Sequence, residues 1–511
     1  MFTLRKYQQE AVNAVLDSID AGARNILLVL PTGTGKTVIF SELARIMADK
    51  GKKTLVIAHR DELITQAKEK LQGAGCATTV EKAEQEADLL YSTVVVSSVQ
   101  TMSRRKEKFG PDCFSLLVID EAHHALAKSY MELLNYFNCP VLGVTATPDR
   151  GDKKNLGKIF EAVAYEYTLV EAVREGYLCN IIVSQIPVSI DVSNVNTMAG
   201  DLSEDECGEA VSNVLTAIAD ALVPYLVEEK KTLIFTPLVK NAEELAVLLT
   251  ERGILARWVS GNHPDREKLV LDFRNSNINV LVNAMLLTEG FDCPDISCIV
   301  PLRPTRSRAL YAQMVGRGTR IAEGKERLHI IDPLWIAGKH NLCNPTCLVA
   351  KNEEMERRMR ARFSTKGFDL FSTARAVENE LITEAAENAK RKLAELVKTG
   401  KKRVFSPLDV ALYTERMDVL TYEPALPWES LPPTDKQKAL LNKFGVDPDS
   451  VETRGHASRI LSVMFDRIKK GKPTIKQIEF LRRLNLPVPA TKEEASQLIT
   501  RRIGNAGIHR N

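Results

Sequence analysis

Short apolar runs separated by helix-patterned segments constrain this 511-residue chain more than any other feature. NILLVL (25–30), TLVIA (54–58), TVVVSS (93–98), LLVID (116–120) and VLGVTAT (141–147) are too short for helices and are bounded by turn residues. Segments with helical spacing, such as DELITQAKEKLQ, lie between them. Uninterrupted apolar strands alternating with helices predict a parallel sheet covered on both faces. The polar stretch DVSNVNTMAGDLSEDECGE (191–209) reads as a flexible linker or lid. The pattern then resumes with KTLIFTP (231–237), ARWVSG (256–261), NVLVNA (279–284), SCIVPL (297–302) and LHIIDP (328–333). A second parallel α/β domain is therefore expected.

The first connection carries chemistry. LLVLPTGTGKT ends a strand and opens the helical segment TVIFSELARIMADK. It departs from G-x-x-x-x-G-K-[ST] only at Leu30, which stands where a glycine is usual. Gly33 and Gly35 allow the backbone to wrap an anion, with Thr32 and Thr34 in the same loop, and the following helix adds its positive end. Lys36 is placed to reach β and γ phosphates and Thr37 to ligate magnesium. LLVIDEAHH (116–124) ends a second strand on Asp120-Glu121. Asp120 is expected to hold the magnesium, and Glu121 to orient the attacking water and accept its proton.

PTGTGKT, DEAH and TAT (145–147) resemble motifs I, II and III of superfamily 2 helicases, the DEAD/DEAH-box class. LRKYQQEAV (4–12) is similar to the upstream element of that family, which assigns adenine contact to Gln8; Lys6 replaces its usual proline. VIAHRDELITQ (56–66) resembles motif Ia and VVVSSVQTM (94–102) the next strand-to-loop element. The resemblance implies that Arg60, Gln100 and Thr101 face a nucleic-acid strand. In the second half, ALYAQMVGRGTRIAEGK (309–325) matches motif VI, Q-x-x-G-R-x-x-R, through Gln313, Gly316, Arg317 and Arg320. Arginines supplied across a domain cleft would stabilise charge developing on the γ-phosphoryl group. LLTEGFDCPD (286–295) resembles motif V, which places Gly290 and Asp292 near the ribose and γ-phosphate. Thr236, ending the first strand of this half, is expected at the phosphate backbone.

The resemblance covers about residues 4 to 335 and is closest to the RadD-like, XPB-like and restriction-enzyme motors. It implies an α/β protein of two tandem RecA-like domains, that is, a P-loop NTPase, with a helical C-terminal extension. Cys343-Asn-Pro-Thr-Cys347 is half a zinc site with no second pair downstream, unlike RadD-like proteins; free or buried thiols are the expectation.

The expected division is a RecA-like ATP-binding domain at 1–180, a RecA-like helicase C-terminal domain at 181–345, a helical linker region at 346–430 and a small basic helical repeat domain at 431–511. From Thr434 onward 16 Lys or Arg face 8 Asp or Glu. TDKQKALLNKFGV and TIKQIEFLRRLNL begin 40 residues apart, and each is followed by a T…AS-x-[IL] element. Two small helical hairpins are expected, sharing a seam of Leu441, Phe444, Leu481 and Leu484. Lys436, Lys438, Lys443, Lys476, Arg482 and Arg483 would face outward, to grip nucleic-acid phosphates or to dock a protein partner. Scattered cysteines inside apolar stretches, no run long enough to span a bilayer and a charged N-terminal stretch without the pattern of a signal peptide suit a cytoplasmic protein.

The expected activity is an ATP- and Mg2+-dependent helicase or translocase acting on single- or double-stranded DNA. An RNA helicase and a nucleic-acid-activated ATPase switch in a repair or defence complex stand beside it.

Overall fold

The computed structural model describes the chain except for residues 1–2, 59–60, 84, 126, 147–155, 199, 285–290, 292, 339, 364–366, 398–404, 415, 417–418, 420–421, 423, 425–426, 485 and 508–511. It divides into two compact units, Met1–Val377 and Glu378–Asn511.

The first unit holds two lobes, each built on a seven-stranded sheet. In the first lobe the strands are β1 (Asn25–Val29), β2 (Thr54–Ala58), β3 (Thr78–Glu81), β4 (Val94–Ser98), β5 (Leu116–Asp120), β6 (Val141–Thr145) and β7 (Ala162–Glu166). They lie in the order β3-β4-β2-β5-β6-β1-β7, all parallel. The central strands are mostly apolar because helices cover both faces, and the two faces bury separate cores. One core contains Ile26, Val56 and Val118, the other Leu27, Leu55 and Leu117, as the two-residue repeat of a strand requires. Parallel strands put all their carboxyl ends on one edge, and there the loop after β1 and the acids after β5 come together. β6 stands between β1 and β5, so the two motifs are separated by one strand rather than carried by adjacent ones.

The second lobe uses β8 (Asn180–Asp191), a short hairpin of β9 (Thr197–Met198) and β10 (Asp201–Leu202), and then β11 (Thr232–Thr236), β12 (Ala256–Val259), β13 (Val280–Ala284), β14 (Cys298–Pro301), β15 (Arg327–Ile336) and β16 (Phe368–Asp369). Its sheet runs β12-β13-β11-β14-β15-β8-β16, with only β16 antiparallel to its neighbour. β16 extends this lobe to residue 369, past the expected boundary at 345, and the division between compact units falls at 377/378.

The polar stretch at 191–209 is not a loose linker. It forms the β9–β10 hairpin and the helix Glu204–Ser212, capped by Ser203, and its acids bind the loop ahead of the helix Arg308–Gly316. Asp201 accepts hydrogen bonds from the Thr305 hydroxyl (2.5 Å) and the Arg306 amide (2.7 Å), and Glu204 pairs with Arg303 at 2.8 Å.

In the second unit the repeat is reproduced atom for atom. Thr434 and Gln437 form a capping box on the helix Asp435–Phe444, and Thr474 and Gln477 form the same box on the helix Ile475–Arg483. Each glutamine amide then reaches a serine of the next helix at 2.8 Å, Gln437 to Ser458 and Gln477 to Ser496. The expected seam is corrected in part. Leu441 and Leu481 are fully buried and Phe444 is half-buried, but Leu484 is 39% exposed. The helix Pro407–Thr414 packs against both hairpins, so Phe405, Val410, Ala411 and Tyr413 complete a core that the repeats do not close by themselves. Lys436, Lys443, Lys476 and Arg482 are exposed; Lys438 is half-buried.

Candidate active site

Pro31 to Gly35 turn sharply from β1 into the helix Lys36–Asp49, whose N-cap Gly35 sits at φ 81°. That left-handed conformation suits glycine, and a Cβ there would lie 2.8 Å from the Gln8 amide nitrogen. The turn is held from below by one carbonyl. Thr34 O accepts from the Tyr7 hydroxyl (2.5 Å) and from Gln8 Nε2 (3.0 Å), while Gln8 Oε1 accepts from the Arg5 amide (2.9 Å). Tyr7 is itself fixed, stacked on Tyr167 with ring centroids 4.4 Å apart. With the carbonyls turned away, the amides of Gly33, Gly35, Lys36 and Thr37 make no hydrogen bond to the described residues. Four unpaired N–H groups at a helix start form a cradle for an anion. Thr32 Oγ1 is buried beside them without a hydrogen-bond partner.

Across β6, Asp120 and Glu121 are both buried. Asp120 Oδ1 accepts from the Glu121 amide at 3.0 Å, and Glu121 takes φ 52°, a left-handed backbone that costs a residue with a Cβ about 1–2 kcal/mol. One Glu121 oxygen lies 3.5 Å from Lys36 Nζ; the other is 3.4 Å from His123 Nδ1, buried and without a hydrogen-bond donor. Burial pushes this carboxyl upward, but the charges of Lys36, His123 and Arg317 outweigh it and hold Glu121 below the usual carboxylate range. The group is an ionised base with one oxygen open to a proton. The cradle, the lysine and the hard oxygens of Thr37 and Asp120 suit a magnesium–triphosphate.

The second lobe closes the site. The helix Arg308–Gly316 carries buried Gln313 and ends against the loop: a Cβ on Gly316 would lie 2.4 Å from Thr32 Cβ. Only a glycine permits that approach. The same test at Gly33 meets Arg320 Cγ at 3.3 Å and Leu178 at 3.2 Å. Arg317 is buried, donates to Phe291 O at 2.9 Å and lowers the Glu121 pKa from the opposite lobe. Motif I, motif II and motif VI thus meet in one place.

Residues 1–150 match the family described as type III restriction enzyme, res subunit, and residues 215–322 match the helicase conserved C-terminal domain. IRC3 of Saccharomyces cerevisiae, named as an ATP-dependent helicase, is 32% identical over 376 residues, which cover 69% of this chain and 54% of that protein. The DNA 3'-5' translocase XPB2 of Sulfurisphaera tokodaii is 24% identical over 64% of this chain and 80% of its own length. Among solved structures, a fragment assigned as the HsdR subunit of a type I restriction enzyme from Vibrio vulnificus YJ016 has the same fold, with a TM-score of 0.54 at 23% identity, covering 65% of this chain and 64% of that one. The chain therefore carries the two domains that recur in superfamily 2 helicases. Its relatives are the restriction-enzyme and XPB-like motors, and it spans about half the length of the yeast protein it matches.

Other expected site residues are placed differently. Gln8 has both ends of its amide engaged by the loop and by Arg5, so in this arrangement it braces the phosphate loop. Thr236 is fully buried and its hydroxyl is turned inward, to Leu238 O (3.1 Å) and Asn283 O (3.4 Å). Gln100 is exposed on the helix Val99–Arg105, and the Thr101 hydroxyl accepts from the capping Ser98 at 2.9 Å. Arg60, Thr147, Gly290 and Asp292 lie outside the described residues. Sequence reasoning passed over Tyr7 and Cys179, whose roles depend on distant partners. Cys179, where the chain leaves the first lobe, donates its amide to Thr319 O at 2.9 Å. All nine cysteines are free. Among the described residues no three His, Cys, Asp or Glu side chains form a metal cluster, and no helix is long and apolar enough to cross a membrane.

Proposed function

We propose that the chain is a DNA motor in which ATP hydrolysis opens and closes the two lobes on a nucleic-acid strand. The observation that carries this reading is the junction of Thr32, Gly316, Glu121 and Arg317, where both lobes contribute to one charged site.

Lys36 exchanges its contact with Glu121 for the phosphate oxygens of ATP. Thr37 and Asp120 would hold a magnesium ion, which would supply positive charge to the β and γ phosphates. Glu121, released from the lysine, aligns a water with its open oxygen and takes the proton as the water oxygen bonds to the γ-phosphorus. The bond to the bridging oxygen breaks, giving ADP and phosphate. Arg317 and Arg320 supply positive charge from the second lobe, so hydrolysis proceeds fastest when the lobes are together. Separation of the lobes after product release advances the protein along its track.

DNA is favoured as the track because the chain is similar to the res subunit of type III restriction enzymes and to a protein named as the DNA 3'-5' translocase XPB2. Gln100, Arg60 and the exposed lysines of the repeat unit are assigned to the phosphate backbone. Nine free thiols suit a reducing compartment, which the cytoplasm provides.

The test is steady-state ATP turnover without nucleic acid and with single-stranded, duplex and forked DNA and RNA at one salt concentration. Stimulation by DNA above RNA is expected. Equal or greater stimulation by RNA rejects the DNA assignment, and high turnover without strand movement in a displacement or translocation assay favours an ATP-driven switch.

A further inference from the structure

The turn after the helix Arg308–Gly316 carries both arginines, and its carbonyls are held one by one. The Thr319 hydroxyl donates to Gly316 O at 3.1 Å, and the Cys179 amide to Thr319 O at 2.9 Å. Two more, those of Gly318 and Arg320, are taken by one side chain. Lys325 Nζ donates to Gly318 O at 2.6 Å and to Arg320 O at 2.8 Å, and its third bond goes to Pro294 O at 3.0 Å. An ammonium has three donors, and all three are spent on backbone carbonyls. No carboxylate pairs with it among the described residues. Burial drives its pKa down, against the pull of Cys179, Asp295 and Cys293 and with the push of Arg320.

The third bond gives the arrangement its meaning. Pro294 lies three residues after Phe291, and Phe291 O receives the Arg317 guanidinium. The backbone of the arginine turn and the Arg317 side chain are therefore tied to the same short segment, one through Lys325 and one directly. A cation is suited to this because three carbonyl dipoles converge where a neutral side chain would leave them unpaired.

We infer that Lys325 is a positioning residue: its ammonium clamps the arginine turn to Pro294, close to the Phe291 carbonyl that holds Arg317, and so sets where Arg317 and Arg320 stand against the phosphate loop. Its effect on turnover rests on the ATPase reading above; the clamp itself does not.

Lys325→Met keeps the stem and removes the charge, and Lys325→Arg keeps the charge. With Lys325→Met, kcat for ATP should fall about tenfold or more while KM stays within about twofold, the signature of an interaction needed beyond ground-state binding. Amide exchange in the peptide 316–325 of the nucleotide-free protein should quicken, with the thermal midpoint little changed. Lys325→Arg should recover part of both losses. Unchanged exchange in Lys325→Met overturns the clamp. A rise in KM with kcat intact, or equal damage by Met and Arg, overturns the positioning role. If the parent protein hydrolyses no ATP with any nucleic acid, the functional reading fails while the exchange measurement still decides the clamp.

Discussion

One methyl group at Gly316 tests the apposition of the lobes. In Gly316→Ala the new Cβ would fall 2.4 Å from Thr32 Cβ and 2.8 Å from its Cγ2. Carbon atoms in contact sit about 3.5–4.0 Å apart, so helix and loop must part by more than about 1 Å. Thr32 Cβ is attached to the backbone and cannot rotate away. A displacement of about 1 Å between catalytic groups costs about a hundredfold in rate, equivalent to about 2.7 kcal/mol. The helix itself should not suffer, because alanine is favoured over glycine by about 1 kcal/mol in a helix. The expected variant therefore melts near the parent temperature, binds a fluorescent ATP analogue through the undisturbed first lobe and turns over about a hundredfold more slowly. Steady-state hydrolysis, nucleotide titration and a thermal melt together decide the matter. Turnover within about threefold of the parent would refute the claim that hydrolysis needs this contact.

Other substitutions probe the site from different directions. Lys36→Ala should abolish hydrolysis, since the charge at the phosphates is gone; retained turnover sinks the site. Arg317→Ala should lower kcat while sparing ATP affinity, and a pure binding defect counts against its role in turnover. Because Glu121 is held below the usual carboxylate range, it stays ionised down through that range, and its contribution disappears only as pH falls below it. The kcat/KM profile, which reports the free enzyme, should accordingly show no carboxylate limb between about pH 5 and 8; a limb there that vanishes in Glu121→Gln would contradict the assignment. Lys436→Glu with Lys476→Glu, at matched exposed positions of the two repeats, should weaken duplex binding and reduce the salt slope by about two. An unchanged slope points to protein docking instead.

The central strands could be read from the amino acids because helices cover both faces, leaving runs such as TLVIA and LLVID buried at every position and mostly apolar. Four strands at or near the sheet margins escaped that reading, although the edge strand β12 did not. β3 and β7 pair on one side only, and β7 keeps a tyrosine and a glutamate among half-buried residues. β8 alternates buried with open positions, and β16 is two residues long. The same division holds at the site. Lys36, Asp120 and Arg317 announce themselves because their chemistry requires fixed spacing within one loop or turn. Tyr7, Cys179 and Lys325 act on carbonyls remote in sequence or hidden in a turn, and no local pattern marks them. Thr236 looked available at a strand end, but its hydroxyl turns to two carbonyls.

The twin glutamine–serine links in the second unit carry a consequence for how such a unit is put together. Gln437 and Gln477 are 40 residues apart, while Ser458 and Ser496 are 38 apart. The first copy is two residues longer between the anchors, one in its first helix and one in the connection, and both copies keep the 2.8 Å contact. The hairpin is thus registered by its capping glutamine and not by loop length. It behaves as an interchangeable cassette: helix pairs could be swapped between the two copies as long as the threonine, glutamine and serine travel together.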